Sequence, residues 1–225
     1  MLWSIFRGGL SFWQILFMFL SYAVLILIMM PVHEAAHAFA AHKLGDDTAK
    51  WNGRLTLNPL AHLDPIGSLM ILAFGIGYAK PVPVNPYNFR KCSRKTGMAL
   101  TALAGPLSNL LMAAISMGIF RLIYTFTTSY TVLMYANLVL LNVFVPINIG
   151  LAVFNLLPIP PLDGSRIFGA ILPDKWTAWV DQHFQIVQLA LLLLIFTGAL
   201  DVPLNFLRSA VGNLLCRIFF LPALF

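Results

Sequence analysis

The chain has 225 residues, 60% of them hydrophobic and only 10% charged, with a formal net charge of +6. Soluble domains carry about 25% charged residues and about 45–50% apolar ones, so this composition excludes an ordinary water-soluble fold. The basic excess fits loops facing anionic lipid rather than nucleic acid.

In chain order, the first feature is an apolar run from Leu10 to Met30 that continues as a mixed stretch to Lys43. The run is too long for the core of a cleaved signal peptide and lacks a small-x-small cleavage site, so it predicts one long helix. A polar, turn-rich stretch follows, GDDTAKWNGRLTLNPLAHLDP, in which alternating Arg54–Leu57 suggests a short strand or small β-hairpin. Ile66 to Ala79, with glycines at 67, 75 and 77, is too short to cross a bilayer and fits a re-entrant or interfacial element. The next loop holds Lys80, Arg90, Lys91, Arg94 and Lys95 without an acidic residue, which places it in the cytoplasm. Gly97 to Tyr124 and Val132 to Leu157 are further spans. Ile186 to Leu200 and Leu204 to Leu221 read as a C-terminal hairpin turning at Asp201-Val202-Pro203. The two cysteines, Cys92 and Cys216, form no CxxC and point to neither a disulfide framework nor a metal site. The expected architecture is an all-α multi-pass membrane protein of about five transmembrane helices. It forms one domain over 1–225, with a core at 20–170 and the hairpin at 185–221.

The first helix contains the sole glutamate of the chain, Glu34, within MMPVHEAAHAFAAH. A charge at the centre of a span costs about 2.5–3.5 kcal/mol on insertion scales, so it reads first as functional. His33-Glu34-Ala35-Ala36-His37 is an HExxH motif: histidines four apart lie on one helical face and can grip a zinc ion. The glutamate between them can act as general base. A catalytic zinc needs a third protein ligand. His42, nine residues from His33, falls on the far side of the helix. His62 and Asp64 are candidates in the turn-rich stretch. Asp163, in FNLLPIPPLDGSRI, is the stronger one. Prolines 158, 160 and 161 hold its segment extended, and Gly164 allows a tight turn. The third span ends on the cytoplasmic side, and the first helix brings its histidines to that side if Ile66–Ala79 re-enters.

HEAAH in the first helix, GPLSN at Gly105–Asn109 and NLLPIPPLDG at Asn155–Gly164 together resemble the site-2 protease family of intramembrane zinc metalloproteases (peptidase M50 type). The resemblance covers most of residues 20–170. It implies one zinc ion held by His33, His37 and Asp163, with Glu34 as general base and Asn155 holding the substrate backbone or the oxyanion. It also implies the compact branch of the family, without PDZ or CBS domains. Asn109 has two readings, catalytic or bonding between packed helices. The function expected is intramembrane zinc endopeptidase, acting in regulated intramembrane proteolysis on transmembrane protein substrates in the lipid bilayer. Its site would face the cytoplasmic side of a bacterial or archaeal plasma membrane. The other class is a metal-binding membrane protein without hydrolysis, a transporter or degenerate protease homologue.

Overall fold

The computed structural model describes residues 11–74 and 77–222; Leu10 and Gly75, both named above, lie outside them. Contacts divide the chain into two compact units, one through Lys91 and one from Cys92.

In the first unit, helix α1 spans Phe12–Leu44. Ser11 starts it with a capping box, its hydroxyl accepting from Gln14 N–H and its own N–H donating to the Gln14 side chain. The helix widens to π geometry over Leu25–Met29 and returns to α geometry at Met30, one residue before Pro31. Proline offers no N–H to an α-helical ladder, and a π turn is a common way to absorb such a break. Gly45, at φ 108°, ends α1, and Asp46 N–H closes back on the Ala41 carbonyl. Three short helices follow: α2 (Thr48–Trp51), α3 (Pro59–His62) and α4 (Pro65–Phe74).

At ten residues, α4 is about 15 Å long, half a bilayer core. Beyond it the chain comes back: Lys80 N–H donates to the His62 carbonyl at 2.8 Å. The returning segment lies so close to α4 that a Cβ on Gly67 would sit 2.0 Å from the Tyr78 carbonyl oxygen. The excursion expected over Ile66–Ala79 therefore ends where it began. The strand expected at Arg54–Leu57 does not form, and no strand occurs among the described residues. Buried Arg54 instead donates through Nη1 to the carbonyls of Ala61 and Lys80, which folds the segment into bends.

In the second unit, α5 (Arg94–Phe126) and α6 (Tyr130–Asn155) are the two long apolar helices. Ser93 caps α5, and Ser129 caps α6. Like α1, α6 contains a π segment, Asn137–Phe144, followed two residues later by Pro146. Ala113, Met117 and Phe120 of α5 pack with Leu141, Val145, Ile149 and Val153 of α6 and with Leu204 and Cys216 further on. On the opposite face of α5, Leu107, Leu111, Ile115, Ile119 and Leu122 are exposed. So long an apolar stripe is tolerable against lipid and not against water.

Helices α7 (Asp163–Gly169), α8 (Asp174–Gln182), α9 (Phe184–Phe196) and α10 (Asp201–Ile218) complete the unit. Among the described residues, three helices are long and apolar enough to cross a membrane, or four if α8 and α9, bent by 79°, count as one broken span. The protein is thus an all-α membrane protein, but the five spans expected are not supported, and neither is the C-terminal hairpin. Helix α9 alone has 13 residues, too few to cross. Helix α10 carries Asp201, Arg208 and Arg217 along 18 residues, too much charge for a span. The turn lies at Gly198 (φ 71°), and Asp201-Val202-Pro203 is already the first turn of α10, where proline is tolerated.

Candidate metal centre

Each half of the expected site is built locally. Within α1, the α-helical portion from Met30 sets His33 and His37 one turn apart. Their rings meet edge to face, with centroids 4.7 Å apart. Both are buried, each 7% exposed, although histidine is polar. Alanines 35, 38 and 41 are buried beside them, so small side chains let neighbouring backbone approach this stretch. Glu34 is half-buried. Two paired imidazoles on one face are a nitrogen donor set suited to zinc.

The remaining candidates of this unit serve its framework. His42 Nδ1 pairs with the Asp47 carboxylate. His62 is fully buried, with Nε2 donating to the Thr56 carbonyl at 2.8 Å. Asp64 accepts from Gly67 N–H at 2.8 Å, holding the start of α4. Asp46, fully buried, accepts from Thr48, from Asn85 N–H at 2.7 Å and from Asn88 Nδ2 at 3.0 Å. Burial pushes its carboxyl up, but the hydrogen bonds from Thr48, Asn88 and Asn85 outweigh that and hold it below its usual value. This clamp ties the end of α1 to the turn at Pro86–Asn88.

In the second unit, α6 ends at Asn155 and the chain turns repeatedly through Leu157, Ile159 and Leu162 before α7 opens with half-buried Asp163. Gly164 is required for a reason other than the turn expected of it. Its backbone rests on the end of α6, where a Cβ would lie 2.2 Å from the Leu157 carbonyl oxygen and 2.3 Å from that of Leu156. Any larger residue would push Asp163 away from the helix end. Asn155 Nδ2 donates back to the Leu151 carbonyl at 3.0 Å. Asn109 is fully buried in α5 beside Ser108, whose hydroxyl donates to the Gly105 carbonyl.

One polar residue escaped the sequence reading. Asn148 is fully buried in α6, with Nδ2 on the Phe144 carbonyl at 2.9 Å. It precedes Asn155 by seven residues, so both amides fall within about 20° of one face of the α-helical part of α6. That spacing was its signal.

The family model described as peptidase family M50 matches residues 129–196, which include Asn155 and Asp163. YwhC of Bacillus subtilis, provisionally named a zinc metalloprotease, is 41% identical over 160 residues, covering 71% of this chain and 72% of that protein. Rip2 of Mycolicibacterium smegmatis, named likewise, is 32% identical over 65% of this chain, and the match spans about half (54%) of Rip2. MJ0611 of Methanocaldococcus jannaschii, also so named, is 26% identical over 73% of this chain and 78% of its own length. No solved structure matches. These relatives support a metalloprotease that uses zinc, and the chain belongs to peptidase family M50, the site-2 protease family.

Proposed function

We propose that this protein is an intramembrane zinc endopeptidase that cleaves peptide bonds in or near transmembrane segments of other membrane proteins, as in regulated intramembrane proteolysis. The observation that carries the reading is the buried, edge-to-face pair of His33 and His37 with Glu34 between them, inside a 33-residue apolar helix. Two imidazoles plus the Asp163 carboxylate make a donor set of the kind zinc takes in hydrolases. His33, His37 and Asp163 would hold the ion, which would supply Lewis acidity toward water and the scissile carbonyl.

The protein's own groups divide the remaining work. The Glu34 carboxylate takes a proton from the attacking water and returns it to the leaving amine. Asn155 spends one N–H on Leu151, and its second is the donor for the oxyanion. The basic loop around Arg90–Lys95 supports a site on the cytoplasmic side of a bacterial or archaeal plasma membrane, by the excess of positive charge that cytoplasmic loops carry.

Glu34→Gln tests the proposal with two readouts. Cleavage of a co-expressed membrane substrate should fall by about 10²–10⁴-fold, while zinc content stays that of wild type. Undiminished cleavage would overturn the role of Glu34. Wild-type protein that binds zinc but cleaves no membrane substrate would favour the non-hydrolytic reading.

A further inference from the structure

The π segment of α6 holds two asparagines that the proposed chemistry does not use. In an α-helix Asn137 and Asn142, five residues apart, would point about 140° away from each other. A π turn repeats at i→i+5 and stacks them. Asn142 Nδ2 donates both to the Asn137 carbonyl, at 3.0 Å, and to the Asn137 side-chain oxygen. Both residues are exposed, about 10–18 Å in from Tyr130 along the helix and so within hydrocarbon depth. They line a groove of about 550 Å³ between α5 and α6, together with Phe120, Tyr124, Tyr130 and Met134. Asn137 Nδ2 and Asn142 Oδ1 have no partner among the described residues. An unused amide donor and an unused acceptor therefore sit side by side in a surface facing lipid, where no water is at hand to satisfy them.

From this geometry we infer that the groove is the contact surface for a second copy of the chain. Lipid tails would leave both groups unpaired, and a different helix would need a polar residue at this depth. A second copy supplies one by construction. Two copies insert in the same orientation, so their two-fold axis runs along the membrane normal and identical residues meet at equal depth. Each copy thus brings one spare N–H, on Asn137, and one spare carbonyl, on Asn142, to the same stretch of the other's groove, so donors and acceptors are present in equal number across the contact. Polar side chains of this type drive helix association in bilayers.

The test follows the full-length protein in phospholipid vesicles, with fluorescence transfer between two labelled populations read across protein-to-lipid ratios. Wild type should dimerise reversibly, and Asn137→Leu with Asn142→Leu should weaken the dimer about tenfold while zinc content is kept. In a Cys92→Ser background, cysteine at Leu138 in the groove should crosslink copy to copy, whereas cysteine at Leu111 on α5 should not; this arm decides if the double variant does not fold. The inference is overturned by a monomeric wild type at every ratio, by a double variant that dimerises as wild type, or by crosslinking at Leu111 and not Leu138. A chain that stays monomeric while the groove captures lipid or another membrane protein also overturns it.

Discussion

The two compact units hold the proposed zinc ligands by different means. In the unit ending at Lys91, His33 and His37 stand on one continuous helix, and the end of that helix is fixed by hydrogen bonds. Gly45 caps it, and Asp46 gathers four donors from Thr48, Asn85 and Asn88. In the unit beginning at Cys92, Asp163 stands where a loop becomes a short helix, and shape fixes it. Prolines stiffen the loop, and Gly164 rests on the carbonyls that end α6. The first arrangement should be sensitive to charge and the second to volume, and substitutions can set one against the other.

The largest effect should come from the ligands themselves. His37→Ala and Asp163→Ala should each lower zinc affinity by about 100-fold or more, measured by competition with a chromophoric chelator. If Asp163→Ala binds zinc as wild type does, the second unit contributes no ligand and the comparison loses half its meaning. Next come the two asparagines aligned on α6. Asn155→Ala should reduce kcat by about 10²–10³-fold with little change in stability, as expected for loss of an oxyanion donor. Asn148→Ala, which removes a fully buried amide, should instead cost about 1–3 kcal/mol of stability and leave the kcat of folded protein within a few-fold. The reverse pattern would mean that Asn148, not Asn155, meets the substrate.

Volume is probed by a matched pair of glycines. A methyl at Gly164 would press on the Leu156 and Leu157 carbonyls, and one at Gly67 on the Tyr78 carbonyl, each at about 2 Å from the new carbon. Both Gly164→Ala and Gly67→Ala should therefore lower stability by about 1–3 kcal/mol, read as thermal unfolding in detergent. Only Gly164→Ala should also weaken zinc binding, because it displaces Asp163. Equal zinc loss in both would show that the loop does not position its aspartate independently.

What the sequence disclosed follows from what hydropathy can encode. The three long helices lie within a few residues of their expected limits, because uncharged runs of that length have one use in a membrane protein. Glu34 was conspicuous for the same reason, being costly where it stands. The π segments were not legible, since widening a helix leaves hydropathy unchanged; only Pro31 and Pro146, each just beyond one, mark them. Averages hid Arg208 and Arg217 in α10 behind its leucines. Gly164 was legible as special but not as a contact, because close approach depends on residues that only folding brings near. Arg54–Leu57 alternates like a strand, yet the buried guanidinium of Arg54 takes carbonyls on either side of α4 and forces bends.

The smallest effect tests charge in the first unit. Hydrogen bonds hold the folded Asp46 carboxyl below its ordinary value, which is about 3.9 in the unfolded chain. The stability it contributes is fully present above the unfolded value and is lost as pH falls through the folded one. Asp46→Asn should thus cost about 1.5 kcal/mol near neutrality, and the gap from wild type should close below about pH 4. The second unit offers the control. Lys95 and Asp174 form an ion pair there, but both are well exposed, so Asp174→Asn should change stability by less than about 0.5 kcal/mol at any pH. Unfolding temperatures in detergent across pH 3–7 separate the two. If the Asp46 gap persists unchanged at pH 3, the clamp works through its pattern of acceptor oxygens, which the isosteric asparagine changes, and not through charge. The first unit would then be held by hydrogen-bond geometry, and the contrast with the second would rest on polarity rather than on charge.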